Sequence, residues 1–427
     1  MKEQRLLKGS LWVISGQFVS MGFQAVYFVL MGRTLGSREY GAFVGVATLI
    51  LALTQFSSAG MEMILLRNVS RDRNTFARTW GNALLISIIG FVLLLAAASI
   101  FGRFALPPEL RLLIPWIAVG EAVFGKVVQL AGRAFQGAGD MPSFAKLTTL
   151  VYVVRAALAS VLYTYVHYSG GHADAYTWAR IYWVAGFAVS VYAFWRITAT
   201  LGWPHFGRIR FRDLSEGFSF SLSNSSISAY NDIDKTFLVS LGQTYAAGIY
   251  SAAYRVVDVA TAPLYGIYTA ATPRMFREGA KSVTDAATQS RRLLLWTIPY
   301  GLGIAALLYL AAPLLPLAFG PSFHGSIEAL RWLCLLPLLR VFHYAWGTTI
   351  TASASQWNRT ATQIGAAGLN LLLNFLLIPR WSWQGAAVAS LLTDGSLAVS
   401  TRLVLWRIQR KQRRLRDEQE PSLVAAE

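Results

Sequence analysis

The stretch GNALLISIIGFVLLLAAASIF, Gly81 to Phe101, decides the fold. It carries no charged side chain, and a run of about 20 apolar residues crosses the hydrocarbon core of a bilayer as a helix. Blocks of the same kind recur along the chain, beginning with LWVISGQFVSMGFQAVYFVLM from Leu11. Over all 427 residues, 55% are hydrophobic and only 14% charged; a soluble domain carries about 25% charged residues. The chain is therefore read as an all-α, polytopic membrane protein. One cysteine, Cys334, excludes an intramolecular disulfide and offers no redox or metal spacing. The first block is flanked by Lys2, Arg5 and Lys8. It is too long for a signal-peptide core, and no small-residue cleavage site follows, so it is expected to stay as the first helix.

Twelve helices are expected, centred near residues 20, 54, 90, 121, 157, 186, 229, 260, 303, 340, 369 and 395. An even number places both termini on one side. With the termini in the cytoplasm, inner segments hold about 25 Lys and Arg and outer loops about seven. The inner set includes RNVSRDRNTFAR (Arg67 to Arg78), PHFGRIRFR (to Arg212) and RIQRKQRRLR (Arg407 to Arg416). The net charge of +17 is thus a cytoplasmic anchor to anionic lipid, and no readout module for nucleic acid accompanies it. The connection 196–216 divides the chain into six-helix lobes at 1–195 and 217–406, followed by a basic tail at 407–427. GSREYGAFVGVA, after helix 1, resembles TYAAGIYSAAYR, after helix 7. Two such halves predict a parallel repeat around a central cavity.

SFSLSNSSISAYNDIDKTFLVSL (Ser219 to Leu241) is unexpectedly polar for a spanning helix. At helical spacing, Ser221, Asn224, Ser225, Ser228, Asn231, Asp232 and Lys235 form one stripe, which must face protein or water rather than lipid. Asp234 lies off its centre. Other spans add Glu121 and Lys126, Arg155, Arg255 with Asp258, Arg340 with His343, and Asp394. Gln363, Asn370 and Asn374 share one face. Arg255–Asp258 reads equally well as a structural ion pair, and Asn370 and Asn374 as amides bonded to neighbouring helices. Arg155 and Arg340 have no acid one turn away, so at least one is expected to be open to a ligand. His343 reads as a packed helix residue rather than a proton carrier.

AAGLNLLLNFLLIPRWSWQGAAVASLLTDG (Ala366 to Gly395) is similar to the helix 11–12 signature of the polysaccharide-transporter family. YNDIDKTFLVSLGQTYAAGIYSAAYRV (from Tyr230) resembles its helix 7–8 region, and LGSREYGAFVGVATLI (from Leu35) the start of its helix 2. The resemblance is to Wzx-type flippases of the MATE-like superfamily. It implies twelve helices in two lobes, a bacterial inner-membrane location and a polyprenyl-diphosphate-linked glycan as substrate. Several members couple to a proton or sodium gradient; Glu62 and Glu121 are the only intramembrane acids in the N-terminal half here, a departure that bears on coupling. A polysaccharide polymerase and chain-length machinery are the partners it implies, beside membrane lipid; no cofactor is expected.

A lipid-linked glycan needs cations for its diphosphate, and Lys126, Arg155, Lys235, Arg255 and Arg340 suit that role. Sugars need amides, hydroxyls and aromatic rings, as at Asn224, Ser228, Tyr230, Asn231, Asn370 and Asn374. Asp232, Asp234 and Asp258 are the candidate acceptors of a coupling ion. Arg155→Ala and Lys235→Ala are each expected to abolish glycan export at unchanged protein level. A multidrug antiporter is the nearest rival, disfavoured because basic residues dominate the middle of the spans; a lipid II flippase is a sub-case. A membrane glycosyl- or acyltransferase is the reading from another class, since Asp232-Ile233-Asp234 is a D-x-D triplet. Two residues apart on a helix point about 200° away from each other, so these carboxylates are expected to diverge rather than share a metal.

Overall fold

The computed structural model describes residues 2–353 and 356–424, which form helices joined by short connections, with no strand among the described residues. The helical stretch Lys2–Ser57 would measure about 84 Å if straight, against a hydrocarbon core of about 30 Å. It breaks at Gly36, whose φ of 72° and ψ of 172° suit a residue without a Cβ. The result is α1 (2–35) and α2 (37–57), the latter resuming as Met61–Arg71 after a turn through Ala59 and Gly60. Then follow α3 (Phe76–Ala105), α4 (Pro108–Gly137), α5 (Met141–Ser169) and α6 (Ala175–Leu201). After the 202–210 connection come α7 (Phe211–Ser240), α8 (Thr244–Lys281) and α9 (Val283–Ala311). Helix α10 comprises Ser326–Leu333 and Leu336–Ala352. The last stretch, Gln356–Val424, breaks at Ser382 (φ 53°) into α11 (356–381) and α12 (383–424).

These twelve rods fall at the twelve expected centres. Nine of them lie in the seven segments apolar enough to cross a membrane, two of which are the paired stretches α1–α2 and α11–α12. The others have identifiable causes. α7 and α8 are polar for spanning helices, with Asp232, Asp234 and Lys235 in one and Arg255 and Asp258 in the other, and a turn at Cys334–Leu335 cuts α10 into pieces of 8 and 17 residues.

The chain divides into two compact units. The first is Met1–Ser251 with Pro316–His324, and the second is Ala252–Leu315 with Gly325–Glu427. In the first, α7 joins the six preceding helices and packs on the α1–α2 stretch. Its core is apolar where α2, α3, α4 and α6 meet, at Leu65, Trp80, Leu130, Phe135 and Ile197. Gly41 of α2 and Gly248 of α8 occupy matching places in the two similar segments, and they meet at one crossing. A Cβ on Gly41 would lie 1.9 Å from the Thr244 carbonyl, and one on Gly248 would lie 1.9 Å from the Ser37 carbonyl, so backbone approach demands glycine there. Residues 316–324 dock on α1: the Arg33 guanidinium donates to the Ala318 carbonyl at 2.6 Å and also to that of Leu317. Asp140 and Asp174 cap α5 and α6, accepting from the Ser143 and Thr177 amides. Burial pushes the Asp174 carboxyl up, but bonds from Thr177 outweigh it and hold the group below its usual range.

In the second unit α8, α9 and α10 close over Leu264, Tyr268, Leu294, Val341 and Ala345. The Tyr268 and Thr297 hydroxyls lie 2.9 Å apart within that core, satisfying polar atoms that hydrocarbon would leave unpaired.

Candidate functional site

The intramembrane charges are assembled into ion-paired clusters, each within one unit. In α4, Glu121 and Lys126 are five residues apart, about 140° around an ordinary α-helix. Val119–Gly125 instead forms a π-helical turn, in which the Lys126 amide donates to the Glu121 carbonyl. This wider turn brings Lys126 closer to the Glu121 face than a regular helix would. The Lys126 ammonium lies 3.6 Å from Glu62 of α2, both side chains 3% exposed, and Ser58 donates to the other Glu62 oxygen at 2.5 Å. Arg155 of α5 donates to Glu121 at 3.1 Å and stacks on Tyr182 of α6, its Cζ 3.9 Å from the ring centre. Its Nε is buried and has no hydrogen-bond partner among the described residues. The run Glu62–Lys126–Glu121–Arg155 therefore ends on a guanidinium with a donor to spare.

In α7 the polar stripe closes on itself. The Lys235 ammonium donates to Asp232 at 2.8 Å and to the Asn231 carbonyl at 2.7 Å, and lies 3.3 Å from Asp234. Asp234 is fully buried and accepts from the Tyr250 hydroxyl at 2.6 Å. The expectation that the D-x-D carboxylates diverge is corrected here: both reach the same ammonium, because the long lysine side chain folds back between them. Ser221 and Ser225 are buried, and Ser225 donates to the Ala52 carbonyl of α2. Ser228, Tyr230 and Asn231 are half-buried, while Asn224 is exposed.

The second unit repeats the theme. Arg340 of α10 donates to Asp258 of α8 at 3.1 Å, to the Tyr254 hydroxyl at 2.8 Å and to Asp394 of α12 at 3.3 Å. Arg255 lies 3.7 Å from Asp258 on the same helix, and His343 lies 3.5 Å from Asp394. Asn374 donates to Asn370 at 2.7 Å, and Asn370 to Thr393 of α12 at 3.1 Å, so the amides do tie neighbouring helices.

One expectation fails on this geometry, the dominance of basic residues in the middle of the spans. Neither Arg155 nor Arg340 lacks an acid: each finds one on another helix, at a sequence distance that helix periodicity does not reveal. Nor do cations dominate, since Lys126, Arg155, Lys235, Arg255 and Arg340 face Glu62, Glu121, Asp232, Asp234, Asp258 and Asp394. Pairing is what makes so many charges tolerable away from water. Sequence reasoning passed over Tyr182, Tyr250 and Tyr254 as site residues. The signal for Tyr250 and Tyr254 was present, as aromatics one turn apart in the repeat-like segment before Arg255. Chemically, such clusters exchange partners: an anion bound to a cation frees the carboxylate it displaces.

The family model described as polysaccharide biosynthesis protein matches residues 6–278, and that described as MatE matches residues 220–379. No curated protein matches the chain in sequence. Among solved structures, the chain is similar to an inward-facing multidrug resistance MATE family transporter of the MOP superfamily. The two share 17% identity over 91% of this chain and 96% of that one, with a TM-score of 0.70. An outward-facing conformation of such a transporter matches at 16% identity over 94% and 96%, TM-score 0.60. A MOP superfamily transporter from Pyrococcus furiosus matches at 16% over 94% and 96%, TM-score 0.62. Likeness at these identities establishes the MATE-like fold, while the first family model covers well over half the sequence. The chain belongs to the polysaccharide biosynthesis protein family, and its helices take the MATE-like fold.

Proposed function

We propose that this protein is a membrane transporter, and specifically a flippase. It moves an undecaprenyl-diphosphate-linked oligosaccharide, the repeat unit of a surface polysaccharide, from the cytoplasmic to the periplasmic leaflet of a bacterial inner membrane by alternating access. The match to the polysaccharide biosynthesis family across residues 6–278 carries the proposal. The lobes at 1–195 and 217–406, cytoplasmic termini and a downstream polymerase belong to the same reading.

Such a substrate joins a polyprenyl tail to a doubly charged diphosphate and a polar glycan. Taking the charged part through hydrocarbon costs many times thermal energy, so the protein must replace its hydration. Lys126, Arg155, Lys235, Arg255 and Arg340 are the phosphate contacts of this reading, and Asn224, Ser228, Tyr230, Asn231, Asn370 and Asn374 the sugar contacts. Because each cation already holds a carboxylate, the diphosphate binds by exchange. Arg155 is the first choice: its unpartnered Nε and its stack on Tyr182 leave donor capacity for a phosphate oxygen as Glu121 is displaced. A carboxylate released in this way at Asp232, Asp234 or Asp258 becomes an acceptor for H+ or Na+, which couples the cycle to a gradient.

Flipping of a labelled polyprenyl-diphosphate oligosaccharide in proteoliposomes tests the proposal. Arg155→Lys keeps the charge but loses the fork and the stack, and should slow flipping about tenfold, the loss of one charged hydrogen bond. No flipping by the wild type rejects the flippase; undiminished flipping by Arg155→Lys and Arg155→Gln removes the headgroup assignment. Undiminished flipping with the gradient collapsed rejects coupling. A second reading, multidrug export, is favoured by the solved relatives described as multidrug transporters. Drug efflux by a chain that moves no glycan, lipid II included, would select it.

A further inference from the structure

One charged cleft lies outside the buried clusters. It sits in the first unit where the end of α2 meets the start of α7, and encloses about 230 Å3. Arg67, Arg71, Arg210 and Arg212 line it against Asp213 and Glu216, a cationic surplus that the buried clusters do not have. Both carboxylates are engaged. Arg67 donates to Asp213 at 3.0 Å and also to Glu216, and Glu216 accepts from Arg212 at 2.8 Å. Arg71 and Arg210 have no carboxylate within ion-pairing distance among the described residues.

The surplus is sharpened by its position. Arg210 occupies the N-cap and Arg212 the first turn of a 30-residue helix, and no side chain caps that end. Amide dipoles already make a helix N-terminus positive; the acids at this end, Asp213 in the first turn and Glu216 behind it, are held by Arg67 and Arg212, so Arg210 adds a cation without an acid of its own. The cleft has the volume of about eight waters, which is room for a phosphate or diphosphate group. Guanidinium forks match phosphate oxygens in geometry as well as charge.

We infer that this cleft binds a phosphate or diphosphate group, gripped by Arg71 and Arg210. Its ligand on the flippase reading, on which this identification rests, is the diphosphate of the lipid-linked substrate, docking between α2 and α7 before it reaches the buried clusters. Free pyrophosphate presents the same chemistry without the lipid.

The experiment titrates the purified full chain in detergent with inorganic pyrophosphate and, separately, with polyprenyl diphosphate in mixed micelles. Wild type should bind; Arg71→Ala/Arg210→Ala should weaken binding at least about tenfold, and Arg71→Lys/Arg210→Lys should restore most of it. Asp213→Asn, which releases a fork of Arg67, should tighten it. Both arginines are exposed, so the alanine pair keeps its fold, checked by circular dichroism and elution volume. Arginine-dependent preference for polyprenyl diphosphate identifies a lipid headgroup as the ligand, and equal binding identifies a free anion; both sustain the site. Unchanged affinity in the alanine pair, or no binding of either probe by the wild type, overturns it. Glycan flipping is scored separately. Flipping without binding of either probe rejects the cleft and leaves the flippase standing, whereas arginine-dependent binding without flipping does the reverse.

Discussion

Replacing Lys235 with methionine isolates what the buried pairs contribute. The lysine is 1% exposed, and its ammonium lies within 3.3 Å of Asp232 and Asp234. Asp232 is 28% exposed and reaches water without it. Asp234 has no exposure; it keeps the Tyr250 hydroxyl and the Lys235 amide but loses the cation. Removing one partner of a buried pair costs about 3–5 kcal/mol, whereas removing both charges is often nearly neutral. Lys235→Met should therefore cost about 3 kcal/mol or more. Lys235→Met/Asp234→Asn, which retains a group for Tyr250, should recover at least about 2 kcal/mol of it. Denaturant unfolding of the purified protein in micelles, run as a double-mutant cycle, reads both numbers. Single-variant costs that simply add, or a Lys235→Met protein as stable as wild type, refute the idea that this lysine balances Asp234. The same cost bears on Lys235→Ala, which was expected to remove export at unchanged protein level. The single variant should lower the level, so export is compared in the compensated pair.

Gly248→Ala places a Cβ 1.9 Å from the Ser37 carbonyl, where only backbone could yield, and should destabilise by about 1–3 kcal/mol. Gly266→Ala in the same helix meets nothing within 4 Å and should be neutral or stabilising; equal unfolding midpoints for the two would discount the crossing. At the α2–α7 cleft, hydrogen bonds from Arg212 first, then Arg67, hold the Glu216 carboxyl below its ordinary range. A carboxyl lowered on folding contributes stability that is complete above its unfolded pKa, about 4.3, and is lost as pH falls through the folded value. Wild type should thus lose stability relative to Glu216→Gln below about pH 4, and parallel acid-unfolding profiles would contradict this.

Much of the site was legible as a set of residues and illegible as a set of contacts. Arg255–Asp258 could be paired from the sequence because both partners lie on one turn of one helix, and its 3.7 Å separation bears that out. Arg155 and Glu121 are 34 positions apart, and Arg340 and Asp394 are 54; periodicity within a helix says nothing about which face of another helix it meets. The π turn hid a further relation, since Glu121 and Lys126 fall on different faces of the regular helix that spacing assumes. The D-x-D carboxylates were misplaced for a similar reason: backbone direction was taken for side-chain reach.

By itself the sequence determined the membrane, the twelve rods and the residues that had to be shielded from lipid. Those follow from transfer free energies, which add along a chain and need no knowledge of neighbours. Tertiary structure decided that the shielded charges come as mutual pairs rather than as open cations, that Arg155 alone among the four buried Lys and Arg side chains has a buried nitrogen without a hydrogen-bond partner among the described residues, and that a surplus of arginines gathers where α2 meets α7. Electrostatic energy depends on distances of a few ångströms between side chains far apart in sequence, and only the packed helices set those distances.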